Sequence, residues 1–151
     1  MKVGEAMYIF LDVDGVLNKK SDWVKPFSLN PKCVRNFIEL ANRIPNAKIV
    51  LSSTWRNGIA RDGSRAAHIE DLMVLLSAAG ITTIDRTAEA PDGSRSREID
   101  YYLRRHESDT YIILDDDPSL FQEGAKTKNL FVINSEFGLE KDDITKILKK
   151  I

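Results

Sequence analysis

The sequence predicts an α/β fold, with a parallel sheet covered on both faces by helices, and three observations predict it. Short apolar runs at about 7–12, 47–52, 81–85, 110–115 and 129–133 are often β-branched and bounded by polar residues, as buried parallel strands are. Amphipathic helical patterns lie between them, and strands alternating with helices build right-handed βαβ units. Several runs end in groups able to do chemistry, at the carboxyl ends of strands where sheets of this kind bind ligands.

The first run, Tyr8-Ile9-Phe10-Leu11, leads into Asp12-Val13-Asp14-Gly15-Val16-Leu17-Asn18. The first helix is predicted from Val34, Phe37, Ile38, Ala41 and Ile44, with Asn30 as its N-cap and Pro31 at its first position. The run Lys48-Ile49-Val50-Leu51 then ends in Ser52-Ser53-Thr54. A second helix carries Ile69, Leu72, Met73, Leu76 and Ala79 on one face, and Gly80 is placed to stop it. The third helix opens near Arg95 and Arg97 and buries Ile99, Tyr102 and Leu103. The fourth strand ends in Asp115-Asp116-Asp117, and Ile144, Ile147, Leu148 and Ile151 mark the last helix.

At 151 residues the chain reads as one domain, 1–151, long enough to bury a core, and 42% hydrophobic with 30% charged residues is a globular composition. A formal net charge of −1 gives no overall basic footprint for nucleic acid. No apolar run approaches the roughly 20 residues of a membrane helix. Met1 to Ala6 includes the acidic Glu5 and leads straight into a strand, unlike a signal peptide. The single cysteine, Cys33, excludes an internal disulfide and suits a reducing compartment, so the expected location is cytoplasmic. Cys33 lacks a histidine partner and reads as a packed thiol. His68 and His106 have no partner at metal-ligand spacing.

On a continuing strand Asp12 and Asp14 would point to one face, and Gly15 permits a sharp turn just after them. One carboxylate can attack a phosphoryl group to give an aspartyl-phosphate, while a second protonates the leaving oxygen and then activates water. The Ser52 hydroxyl, with Ser53 and Thr54 as competitors, suits a phosphate oxygen. Arg56 suits bidentate phosphate binding or a surface position. Arg95, or Arg97 in its place, would pair with Asp12 and the phosphoryl group, keeping the nucleophile ionised. Asp115, Asp116 and Asp117 repel one another unless solvated or bound to a cation, and with Asp12 they supply the hard oxygen ligands that Mg²⁺ takes.

With these four segments in this order, the chain resembles the haloacid dehalogenase (HAD) superfamily of phosphohydrolases across about residues 7 to 135. The resemblance implies a three-layer Rossmann-like fold with a minimal cap. It implies Asp12 as nucleophile and Asp14 as general acid/base, with Ser52 and Arg95 on the phosphoryl group. It also implies Mg²⁺ held by Asp12, Asp115, Asp116 and the backbone carbonyl of Asp14. Closer still, Leu51-Ser52-Ser53-Thr54-Trp55-Arg56, Arg95-x-x-Glu98-Ile99 and Ile113-Leu114-Asp115-Asp116-Asp117 look like the HAD domain of Swiss-army-knife RNA repair proteins.

That likeness implies a phosphorylated small molecule or a polynucleotide end as substrate. The insertion after the first strand, about 19–30 with Trp23 and Phe27, has room for a flap and no cap domain. Residues 54–64 and 86–94 read as short polar loops, with Arg56, Arg61, Arg65 and Arg86 in or beside them. An open site of this kind suits a bulky or polymeric substrate. The alternative on the same fold is a phosphate-binding or regulatory module without turnover.

Overall fold

A computed structural model describes residues 5–121 and 128–151. The start of the chain, Met1 to Gly4, on which the signal-peptide reading partly rests, lies outside the described residues. Strands β1 (Met7–Leu11), β2 (Ala47–Leu51), β3 (Asp85–Arg86), β4 (Tyr111–Asp115) and β5 (Leu130–Val132) form one parallel sheet in the order β3-β2-β1-β4-β5. Helices α1 (Pro31–Arg43), α2 (Ala67–Ser77), α3 (Arg95–Arg105) and α4 (Lys141–Lys150) flank it. Among the described residues no helix is long and apolar enough to cross a membrane.

Alternation along each strand divides the core in two, because successive side chains face opposite sides of a sheet. Ile9, Leu11, Ile49, Leu51, Ile112 and Leu114 share one cluster with Phe37, Leu40, Leu72, Leu76, Ile144 and Ile147 from α1, α2 and α4. Phe10, Val50 and Ile113 face the other way, onto Ile99, Tyr102 and Leu103 of α3 and onto Phe121. The chain therefore changes side at the crossover from β3 to β4. That crossover puts β4 next to β1 and makes their carboxyl ends the switch point where a ligand fits.

Helix ends follow local chemistry. Asn30 accepts hydrogen bonds from the backbone N–H groups of Lys32 and Cys33, with Pro31 opening α1 as expected. Gly80 takes φ +87° after α2, and the Ile81 N–H returns to the Leu76 carbonyl, closing the helix. Ser94 caps α3 through the Arg97 N–H, so α3 begins at Arg95.

Some boundaries differ from expectation. The run 81–85 is not a strand of that extent: pairing with β2 is confined to Val50–Asp85 and Leu51–Arg86. Ile81 and Ile84 pack on the core without pairing, and their apolar character records burial alone. In α1 the inward residue is Leu40, fully buried, while Ile38 is only partly so. Ile151 lies exposed beyond α4. Thr54–Gly58, read as polar loop, is a 3₁₀ turn whose Trp55 and Arg56 are buried.

Candidate functional site

β1 stops at Leu11, so Asp12 and Asp14 do not continue a strand as the two-residue spacing suggested. The Asp12 N–H still bonds the Leu114 carbonyl, which holds Asp12 at the β1–β4 junction. The N–H groups of Val16 and Leu17 both return to the Val13 carbonyl, and this tight turn carries the exposed Asp14 away from the sheet. Gly15 makes the turn possible with φ +90°. A Cβ at Gly15 would lie 2.3 Å from Asp116 Oδ2, so the bare backbone is also what lets Asp116 approach.

Asp12, Asp115 and Asp116 converge, with one carboxylate oxygen of each within 4.8 Å of the others. Burial pushes the Asp12 carboxyl well above the usual carboxylate range, and Asp115 and Asp116 push it further, with Arg95 opposing. Burial likewise raises Asp115 to about 6, against the Asp117 N–H and Arg95. Asp115 is 1% exposed and its Oδ2 has no hydrogen-bond partner. Three crowded carboxylates, one with an orphaned buried oxygen, fit a divalent cation with hard oxygen ligands. Asp14's side chain stands outside this group. Asp117 does too: its Oδ1 accepts from the Ser119 N–H and so serves the turn Pro118–Phe121.

Across β1 from the carboxylates, Ser52 follows β2, fully buried, its N–H on the Leu11 carbonyl and its hydroxyl unpartnered. Its competitor Ser53 is occupied, since its hydroxyl caps the turn Thr54–Gly58 by accepting from the Trp55 N–H. Arg95 is the third residue, after Asp115 and Ser52, with buried atoms lacking a hydrogen-bond partner, at Nε and Nη1. Only 12% of its side chain is exposed, and its charge bears on both Asp12 and Asp115. Arg97 instead projects outward and pairs with Asp92 at 3.1 Å. Between the two arginines, the geometry selects Arg95 for this site. Buried donors and acceptors left unpaired are rare in folded proteins, and here they gather around the carboxyl ends of β1, β2 and β4.

Arg56 is neither at the surface nor open to phosphate. It is 5% exposed, and its Nη1 and Nη2 donate to Glu98 Oε1 and Oε2 at 2.7 and 3.0 Å. Its Nη1 also reaches Thr87 Oγ1 at 3.3 Å. Glu98 accepts the Ala90 N–H as well and lies 3.5 Å from Arg95 Nε. This carboxylate, which the sequence reading gave no role, stands between the Arg56 and Arg95 guanidinium groups. Its position three residues after Arg95 on one helix face was the signal available.

Asn18 is the other omission. At 1% exposure, its Oδ1 accepts from the Gly15 N–H and Trp23 Nε1, and its Nδ2 donates to Asp14 Oδ1 and the Ser28 carbonyl. It ties the Asp12–Asp14 turn to the segment 19–30, whose Lys20–Val24 is a 3₁₀ turn. Asp14 faces a cleft of about 390 Å³ lined by Trp23, Lys25, Phe27, Thr54 and Trp55. Phe27 closes the outer side, stacked 3.9 Å from the His68 ring. Cys33 is buried, with its Sγ 3.7 Å from the Phe137 carbonyl.

A parallel α/β sheet that brings an acidic cluster able to hold a cation, and buried polar atoms without hydrogen-bond partners, to its switch point is an architecture of the HAD type. The chain matches the family described as the HAD domain in Swiss Army Knife RNA repair proteins over residues 8–144, and it belongs to that family. No curated protein and no solved structure matches it significantly.

Proposed function

We propose that the protein is a Mg²⁺-dependent phosphatase that removes a phosphate monoester, from a nucleotide or a nucleic-acid end, through an aspartyl-phosphate on Asp12. The observation that carries this reading is the gathering of the unpartnered Ser52 Oγ, and of Arg95 with its Nε and Nη1 free of hydrogen bonds, around the Asp12, Asp115 and Asp116 carboxylates at adjoining strand ends.

Asp12 attacks phosphorus and the bond to the leaving oxygen breaks, with Asp14 giving that oxygen its proton. Asp14 then takes a proton from water, the water oxygen attacks phosphorus, and the P–O bond to Asp12 breaks to release phosphate and free carboxylate. Ser52 Oγ and the Arg95 guanidinium hold the phosphoryl oxygens and offset their charge. Asp12, Asp115 and Asp116 would hold the Mg²⁺, which supplies charge neutralisation between nucleophile and phosphate dianion. Arg95 opposes the upward push on the Asp12 carboxyl, and a bound cation would do the same, favouring the ionised form that attacks.

The test is hydrolysis of a panel from p-nitrophenyl phosphate through nucleotides to 3′- and 5′-phosphorylated oligonucleotides, with Mg²⁺ and with EDTA, for the native chain and Asp12→Asn. Mg²⁺-dependent release that falls to background in the variant is expected. Activity that survives Asp12→Asn would sink the mechanism, and silence of the native chain across the panel would favour a phosphate-binding module without turnover.

A further inference from the structure

We propose that a groove along the β3 edge of the sheet binds the sugar–phosphate backbone of a single-stranded nucleic acid and delivers its terminal phosphate to Asp12. This deepens the phosphatase reading and rests on it for the delivery step, though the groove itself stands apart from the catalytic residues. The groove encloses about 560 Å³. Arg61 and Arg65 come to it from the segment after β2, Arg86 from the end of β3, and Arg105 from the end of α3. Four guanidinium groups face one acidic lining residue, Asp85, whose Oδ2 already accepts the Tyr102 hydroxyl at 2.7 Å. In a chain of formal net charge −1, this concentration of positive charge is local.

The charge is interleaved with flat rings. Tyr101 is 54% exposed and the Arg105 guanidinium lies 5.8 Å from its ring centre. The exposed His106 ring stacks on Tyr102 at 3.9 Å. Guanidinium forks match phosphate oxygens, and exposed rings accept unstacked bases. An acidic peptide would use the charges and leave the rings idle, whereas a single strand uses both at once. The upper end of the groove also lies at the right place. Arg86 pairs in register with Leu51, the residue before Ser52, and the Thr87 N–H bonds the Leu51 carbonyl. The groove therefore ends beside the strand that leads into Ser52.

The experiment compares the native chain with the triple variants Arg61→Ala/Arg86→Ala/Arg105→Ala and Arg61→Lys/Arg86→Lys/Arg105→Lys, each checked for native circular dichroism. Binding of fluorescein-labelled single-stranded RNA and DNA of about 12 nucleotides with a terminal phosphate is followed by anisotropy between about 50 and 200 mM salt. Hydrolysis of p-nitrophenyl phosphate is measured alongside. The alanine variant is expected to bind at least about tenfold more weakly, with the salt slope reduced by about 2 for three lost phosphate contacts. Its p-nitrophenyl phosphate turnover should match the native chain while kcat/KM on the oligonucleotide falls in step with binding. The lysine variant should keep the salt slope.

Unchanged oligonucleotide affinity in the alanine variant overturns the groove and leaves the phosphatase reading intact. Arginine-dependent binding by a native chain that hydrolyses nothing upholds the groove and defeats the phosphatase reading. Arginine-dependent binding to vesicles rich in phosphatidylserine, without oligonucleotide binding, overturns the proposal in favour of a membrane surface.

Discussion

Arg56 and Glu98 form a bidentate ion pair, at 2.7 and 3.0 Å, between the turn after β2 and the first turns of α3, with both side chains almost fully buried. The pair fastens the turn that follows Ser52 to the helix that opens with Arg95, the two residues to which the proposed mechanism gives the phosphoryl oxygens. Breaking a buried pair from one side leaves an uncompensated charge. Arg56→Ala should therefore lower unfolding free energy by about 3–5 kcal/mol in urea titrations. The double variant Arg56→Met/Glu98→Leu should regain most of that stability but not activity, because Arg95 loses the carboxylate beside its Nε. Full recovery of both would make the pair a matter of stability alone.

Asn18→Ala should act through Asp14. The change strands the Gly15 N–H, the Trp23 indole N–H and the Ser28 carbonyl, for a loss of about 2–4 kcal/mol. It also frees the Asp14 carboxyl that Nδ2 now holds at 2.9 Å. On p-nitrophenyl phosphate, whose leaving group needs little protonation, kcat should fall modestly; on an alkyl phosphate it should fall at least about tenfold. Equal losses on the two esters would remove Asn18 as a positioning residue for the acid.

Gly15→Ala tests the closeness of the turn to the carboxylates. A side chain there is strained at φ +90° and overlaps Asp116 Oδ2. Stability should drop by about 1–3 kcal/mol, and Mg²⁺ should raise the melting temperature much less than in the native chain, since Asp116 must move aside. A native-sized Mg²⁺ shift in thermal melts would show that Asp116 is dispensable for the cation.

These residues also show why only part of the site could be read from sequence. The placement of Asp12, Ser52, Arg95 and Asp115 was legible because each ends or follows a strand or opens a helix, so local periodicity puts them near the carboxyl ends of the strands. The fate of Arg56 was not, since its partner lies 42 residues away and only the β2–β3–α3 path brings Glu98 beneath it. Asp14 was misplaced because strand alternation was extended past Leu11, where the Val13 turn takes over. The parallel sheet was implied by alternating elements, but its strand order and the two-residue extent of β3 depend on pairing, which apolar composition does not report.

The acidic cluster should make the metal-free protein less stable as pH rises. Asp115 titrates at about 6 in the folded chain against an ordinary value of 3.8, so the folded state holds its proton more tightly than the unfolded state does. Stability from this group is full below about pH 4, falls as pH rises through about 6, and is flat above. Asp12, raised chiefly by its burial and further by Asp115 and Asp116, adds in the same direction. Asp115→Asn removes the penalty and keeps an oxygen for the Asp117 N–H that Asp115 Oδ1 now accepts at 3.0 Å. In EDTA at pH 7.5 the variant should be more stable than the native chain by roughly 1–3 kcal/mol, with the gap closing near pH 4. Added Mg²⁺ should stabilise the native chain and not the variant, shrinking or reversing the difference. Chemical denaturation at the two pH values, with and without Mg²⁺, measures all of this. A variant less stable in EDTA at pH 7.5 would mean that Asp115 serves the fold rather than a cation.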